Sequence, residues 1–115
     1  PGAEYDGGMV NAVPISEQYR VAADTWVDAD GAASIIEELK TATLNERMMK
    51  LGDMPVSRAE MIIKASPEWK AYIENMVEVR KRANKLKVRM EELRMRHTEQ
   101  QSEEATRRHE LRMTA

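Results

Sequence analysis

The chain has 115 residues, 42% of them apolar and 33% charged, and a formal net charge of -2, which leaves room for one domain with a thin core. Nine Met against two Trp, three Tyr and no Phe favour helix packed on helix over a β-sandwich or barrel. With no cysteine there is no disulfide or thiolate metal site, and no apolar run approaches the roughly 18 to 20 residues of a membrane span.

No charged start leads into an apolar secretory segment, so a cytoplasmic location without a membrane partner is expected. The opening "PGAEYDGGMVNAVP" has Gly and Pro punctuation and no period, so residues 1–15 read as a flexible arm, with Pro1-Gly2 expected to be a cloning remnant. Ser16 is the expected N-cap of a first helix over about 17–50. Its apolar residues recur at helical spacing through Tyr19, Ala22, Trp26, Ala29, Ala33, Ile36 and beyond. Gly31 weakens the middle of this helix and suggests a bend there.

Gly52 and Pro55 then stop the helix, and Ser57 with Glu60 spells a capping box for a short helix over 57–65. Ser66 is the next expected N-cap, with Pro67 at the first helical position and Glu68 near the positive end of the helix dipole. From there to Met113 the chain contains neither Gly nor a further Pro. The predicted helix over 67–113 is roughly 70 Å long at 1.5 Å per residue, and a helix of that length needs a partner along most of it.

Its apolar seam is heptad-like. Trp69, Met76, Ala83 and Met90 share one position, with Tyr72, Val79, Leu86 and Leu93 three residues after each. The fold class predicted is therefore all-α: an antiparallel helical hairpin or coiled coil within 16–115, with one long C-terminal helix and a short helix in the connection. Ile62, Ile63, Ile73, Val77 and Val88 would be poorly covered in a two-helix hairpin, so a homo-oligomer is expected.

Residues 80–96, "RKRANKLKVRMEELRMR", hold eight Lys or Arg against two Glu. In the heptad frame Arg80, Lys87 and Arg94 fall on one flank of the seam and Arg82, Arg89 and Arg96 on the other, which disfavours a parallel pair of copies. Residues 1–62 carry eleven Asp or Glu against five Lys or Arg, so the first helix is a fitting partner. Folded back antiparallel over the turn at 51–66, it pairs residues whose numbers total about 117. Glu37 and Glu38 then face Arg80 and Val79, Asp28 and Asp30 face Arg89 and Lys87, and Asp24 lies beside Arg94. The basic stretch thus has two readings: it answers these acids within the fold, or it holds the phosphate backbone of a nucleic acid. Aromatic platforms for single-strand binding are scarce, since Trp26, Trp69 and Tyr72 sit on apolar faces. The same register leaves residues 101–115 beyond the end of the first helix, as a projecting tip with Ala105, Leu111 and Met113 available for association, or as a frayed tail.

No catalytic constellation is present in the sequence. His97 and His109 lie about 120° apart around a helix, and the Glu-x-x-His pattern of helical di-iron sites is missing because Arg94 and Thr106 precede them by three. Gly7-Gly8 falls in the arm, away from any strand that would build a phosphate loop. Neither an enzyme nor a metal or cofactor site is expected.

The turn with Ser-Arg-Ala-Glu, the Ala-Ser-Pro-Glu-Trp opening of the long helix, Lys-Val-Arg-Met and Gln-Gln-Ser-Glu-Glu-Ala-Thr-Arg-Arg resemble a group of small helical bacteriophage proteins, over about residues 20–113. Within that group the layout is similar to phage recombination mediators of the UvsY type. The resemblance implies an oligomer that binds single-stranded DNA and helps to load a recombinase, in the cytoplasm of a host cell. The acidic first helix departs from that pattern. The expectation is a non-enzymatic accessory protein of DNA recombination, with Arg80, Lys81, Lys85, Arg89, Arg94 and Arg96 on the phosphate backbone and Trp69, Met76, Ala105, Leu111 and Met113 in protein interfaces. The alternative is a helical protein-binding module, an adaptor or an inhibitor of a host protein, that binds no DNA.

Overall fold

The computed structural model describes residues 13–114 and is all-α, with no strand among the described residues. The helices are α1 (Ile15–Glu38), α2 (Lys40–Met49), α3 (Val56–Lys64) and the long α4 (Pro67–Thr114). The arm expected over 1–15, with Gly7-Gly8 and the Pro1-Gly2 start, lies outside the described residues up to residue 12.

The first helix begins one residue after Pro14, whose carbonyl accepts from the N–H groups of Glu17 and Gln18, each at 3.1 Å. That displaces Ser16 from the expected cap position into the helix. Arg20 then ties the first turns together, reaching Glu17 at 2.6 Å and Asp24 at 3.1 Å. The chain runs through Gly31 as regular helix and is interrupted at Leu39 instead (φ -82, ψ -3). The notch is shallow, because Leu39 N–H still donates to Ile35 C=O at 3.0 Å and its own carbonyl accepts from Thr43 at 2.9 Å.

The helix α2 ends at Met49 with Lys50 as its C-cap, two residues before Gly52, where the sequence predicts the cap. A φ of 91 makes Gly52 the one left-handed residue among those described, and its N–H donates to Met49 C=O at 3.3 Å. The capping box at Ser57 and Glu60 does not form. Pro55 takes the N-cap position with ψ 140, its carbonyl accepting from Arg58 and Ala59 at 3.1 and 3.0 Å. Glu60 pairs with Lys64 at 2.7 Å instead. Ser66 does cap α4: its Oγ accepts from Trp69 N–H at 3.2 Å and donates to Ile63 C=O at 2.6 Å, joining the end of α3 to the start of α4.

The chain divides into two compact units, one of residues 27–84 and one combining 13–26 with 85–114. Within 27–84 the end of α1 lies antiparallel to the start of α4. Tyr72 Oη donates to Ile36 C=O at 3.1 Å, and Arg80, further along α4, reaches Asp30, earlier on α1, at 2.6 Å. The core of this unit is Ala33, Ala59, Ile63, Trp69 and Ala83, with Ala33 and Ala83 both at 0% exposure. The pairing of Arg80 with Glu37 brings these two alanines near the same level of the two helices, where small side chains leave room for the backbones.

In the other unit Leu93 is buried, and Ile15, Tyr19, Ala22 and Trp26 of α1 and Leu86, Met90 and His97 of α4 are half-buried, following the heptad positions of both helices. Beyond His97 every described residue is exposed although the helix continues to Thr114. Val77 and Val88 are each 55% exposed and Ile62 is 41% exposed, as anticipated for a thin hairpin, whereas Ile63 is buried.

Candidate nucleic-acid interface

The basic stretch is one run of α4, and its eight cations have different fates. Arg80 is fully engaged. Its Nε and Nη2 form a fork on Glu37 at 2.9 and 2.7 Å, Nη1 donates to Asp30 at 2.6 Å, and Nη2 also reaches Ser34 at 3.3 Å. The fork geometry suits a planar guanidinium on a carboxylate. The hydrogen bonds from Arg80 hold the Glu37 carboxyl below the usual carboxylate range, and Glu37 followed by Asp30 pushes the Arg80 pKa further up. Arg80 is thereby a structural residue, a correction to its place among the expected phosphate contacts.

Several members of the expected match between helices have other partners. Asp30 is taken by Arg80, and Asp24 pairs with Arg20 one turn away on its own helix. Arg89 lies 3.9 Å from Glu92, again on its own helix. Lys87 places its ammonium 5.9 Å from the centre of the Trp26 ring. Partners at i+3 and i+4 on the same helix are within reach in any register, so they compete with carboxylates across the seam. Lys81, Arg82, Lys85, Arg94 and Arg96 are exposed and make no ion pair among the described residues.

Lys85, Arg89 and Arg96 recur at spacings of four and seven along α4, which puts them within an arc of about 40° at 3.6 residues per turn. They form one flank of the seam in the unit of 13–26 and 85–114, and all three are exposed. Lys87 and Arg94, seven apart, occupy the opposite flank. Such a row of cations on a rigid helix can follow a polyanion, and nothing in it reads base identity.

Trp69 offers no stacking platform. Trp69 is 5% exposed, stacks on Tyr72 with ring centroids 5.1 Å apart, and is covered by the Arg47 guanidinium. Trp69 is thus a core residue and presents no face to a separate partner. Met76 is half-buried in the same seam, while Ala105, Leu111 and Met113 are exposed on the projecting part of α4. His97 occupies a seam position with its Nδ1 buried and without a hydrogen-bond partner, and His109 is exposed. Among the described residues no three His, Asp or Glu gather as a metal site would require, and no helix is long and apolar enough to cross a membrane.

The sequence reasoning missed Arg47. A single arginine near the end of an amphipathic stretch carries no signal that its side chain will lie over two rings. Comparison with protein-family models finds no match, and neither the curated proteins nor the solved structures searched contain one.

Proposed function

We propose that the protein is a non-enzymatic, nucleic-acid-binding helical protein that holds the backbone of single-stranded DNA through Lys85, Arg89 and Arg96, with Arg94 adding to the field. The observation that carries this reading is that only Arg80 of the basic stretch is joined to a carboxylate of α1, while the row on the Lys85 flank stays exposed. Trp69 and Tyr72 stack on each other and Trp26 is half-buried beside Lys87, which supports binding that is chiefly electrostatic and independent of base sequence. The exposed helical tip with Leu111 and Met113 is the surface on which copies associate or a recombination partner docks. In that wider reading the protein serves DNA recombination as an accessory.

The test is the triple reversal K85E/R89E/R96E, compared with the wild type for binding a labelled oligonucleotide. These side chains are exposed, so the variant retains its helical circular dichroism, and its affinity falls by at least tenfold. An unchanged affinity sinks the proposal.

A further inference from the structure

The row of Lys85, Arg89 and Arg96 is not made of cations alone. Glu92 falls between Arg89 and Arg96, so that residues 85, 89, 92 and 96 follow one another at steps of four, three and four and stay within an arc of about 60° on α4. Its carboxylate lies 3.9 Å from Arg89 Nη1, and the two side chains are 54% and 51% exposed. Arg96, four residues further on, is within the reach of a helical neighbour as well, although it makes no ion pair among the described residues.

The pair of Arg89 and Glu92 differs from that of Arg80 and Glu37. The latter joins α1 to α4 through a fork on a half-buried arginine. Glu92 joins nothing across the seam, because its partner is on its own helix and both side chains face solvent. Exposed pairs of this kind add little to stability. Their effect is on whatever else the cation could hold: a carboxylate beside a guanidinium competes with an incoming phosphate for the same N–H groups, and its charge opposes that of the phosphate.

We infer that Glu92 is a built-in restraint on the polyanion site. A phosphate takes Arg89 only by displacing the Glu92 carboxylate, so this one acid in the middle of the row sets how tightly the row holds a phosphate chain. The restraint rests on the reading of the row as a phosphate-binding surface, and it adds a residue that weakens binding by acting through Arg89.

The experiment compares wild type, Glu92→Gln, Arg89→Gln and the double variant for binding a labelled single-stranded oligonucleotide at about 50 mM salt. Gln is close to Glu in size and helix propensity, so the helical circular dichroism is retained. Glu92→Gln is expected to tighten binding roughly threefold, the scale of an exposed pair within a helix, and the gain disappears when Arg89 is already Gln. Glu74→Gln is the control. Glu74 lies 3.9 Å from Lys70 and is 66% exposed, earlier on α4 and before the row begins, so its replacement removes the same charge and leaves the affinity unchanged. Unchanged or weaker binding with Glu92→Gln, an equal gain from Glu74→Gln, or a gain that persists without Arg89 would each overturn the inference. A wild type that binds no oligonucleotide fails the proposed function instead, and calorimetry with inorganic polyphosphate, a phosphate chain without sugar or base, then decides on the restraint. Tighter binding of polyphosphate by Glu92→Gln than by wild type upholds it, and equal or absent binding overturns it.

Discussion

Replacing Ala83 by Leu tests how closely the two long helical segments approach. Ala83 and Ala33 are both at 0% exposure in the 27–84 unit, and the pairing of Arg80 with Glu37 brings them near the same level. Leucine adds three carbons where no surface is open. If the backbones could separate freely, burying those carbons would return roughly 0.8 kcal/mol each. Separation is opposed one turn away, because Arg80 is fixed to Asp30 at 2.6 Å and to Glu37 at 2.7 Å. The steric term therefore prevails, with the cost of about 1–3 kcal/mol that overpacked cores show. At roughly 4–8 °C per kcal/mol for a domain near this size, the Tm falls by several degrees at least. Thermal unfolding followed by circular dichroism at the helical band reads the effect. Ala71→Leu, at an exposed position of the same helix, is the control and stays within about 0.5 kcal/mol of wild type. An Ala83→Leu protein that melts at or above the wild-type temperature refutes the close approach.

The glycines and Glu37 give two further tests. Gly31 sits inside α1 with open space where a Cβ would go, so Gly31→Ala raises stability by about 1 kcal/mol; chemical denaturation measures it. Gly52→Ala has the same open space but a φ of 91, so it lowers stability by roughly 1–2 kcal/mol. Equal effects at the two sites would contradict the left-handed turn at Gly52. Glu37 is held below its ordinary value of 4.5, chiefly by hydrogen bonds from Arg80. Its contribution is therefore complete above that value and is lost as the pH falls through the lowered one. Melting curves of wild type and Glu37→Gln should differ at neutral pH and converge in acid, and a gap that is constant with pH would show that the carboxylate charge is immaterial.

The heptad of α4 was legible because a seam repeated over four heptads survives local irregularity, and the buried Trp69, Ala83 and Leu93 all lie on it. Register was legible at one place: Glu37 and Arg80 meet because a fork on a half-buried site is specific enough to outcompete alternatives. Elsewhere local partners won, as Arg20 did for Asp24. Ser16 and Ser57 misled for one shared reason. Each follows a proline by two residues, in "PIS" and "PVS", and in both places the helix begins directly after the proline, whose carbonyl caps it. Ser66 differs because Pro67 follows it, which leaves the serine outside the helix and free to cap. The interruption at Leu39 has no Gly or Pro to announce it, and nothing in the sequence marked it. The surroundings of Arg47 depend on α2 and α4 meeting in space, a relation that no spacing along the chain records.

The central claim is that the Lys85 flank remains available to phosphate. Fluorescence anisotropy of a labelled single-stranded oligonucleotide, titrated with the protein at several salt concentrations, tests it most directly. Three phosphate contacts per chain give a slope of about -2 in log K against log salt, which is roughly a twentyfold loss of affinity between about 50 and 200 mM. Saturable binding with a slope near that value, flattened in K85E/R89E/R96E, is the predicted result. No binding at the lowest salt, or binding that ignores salt, would contradict the account and direct the search to protein partners at the projecting end of α4.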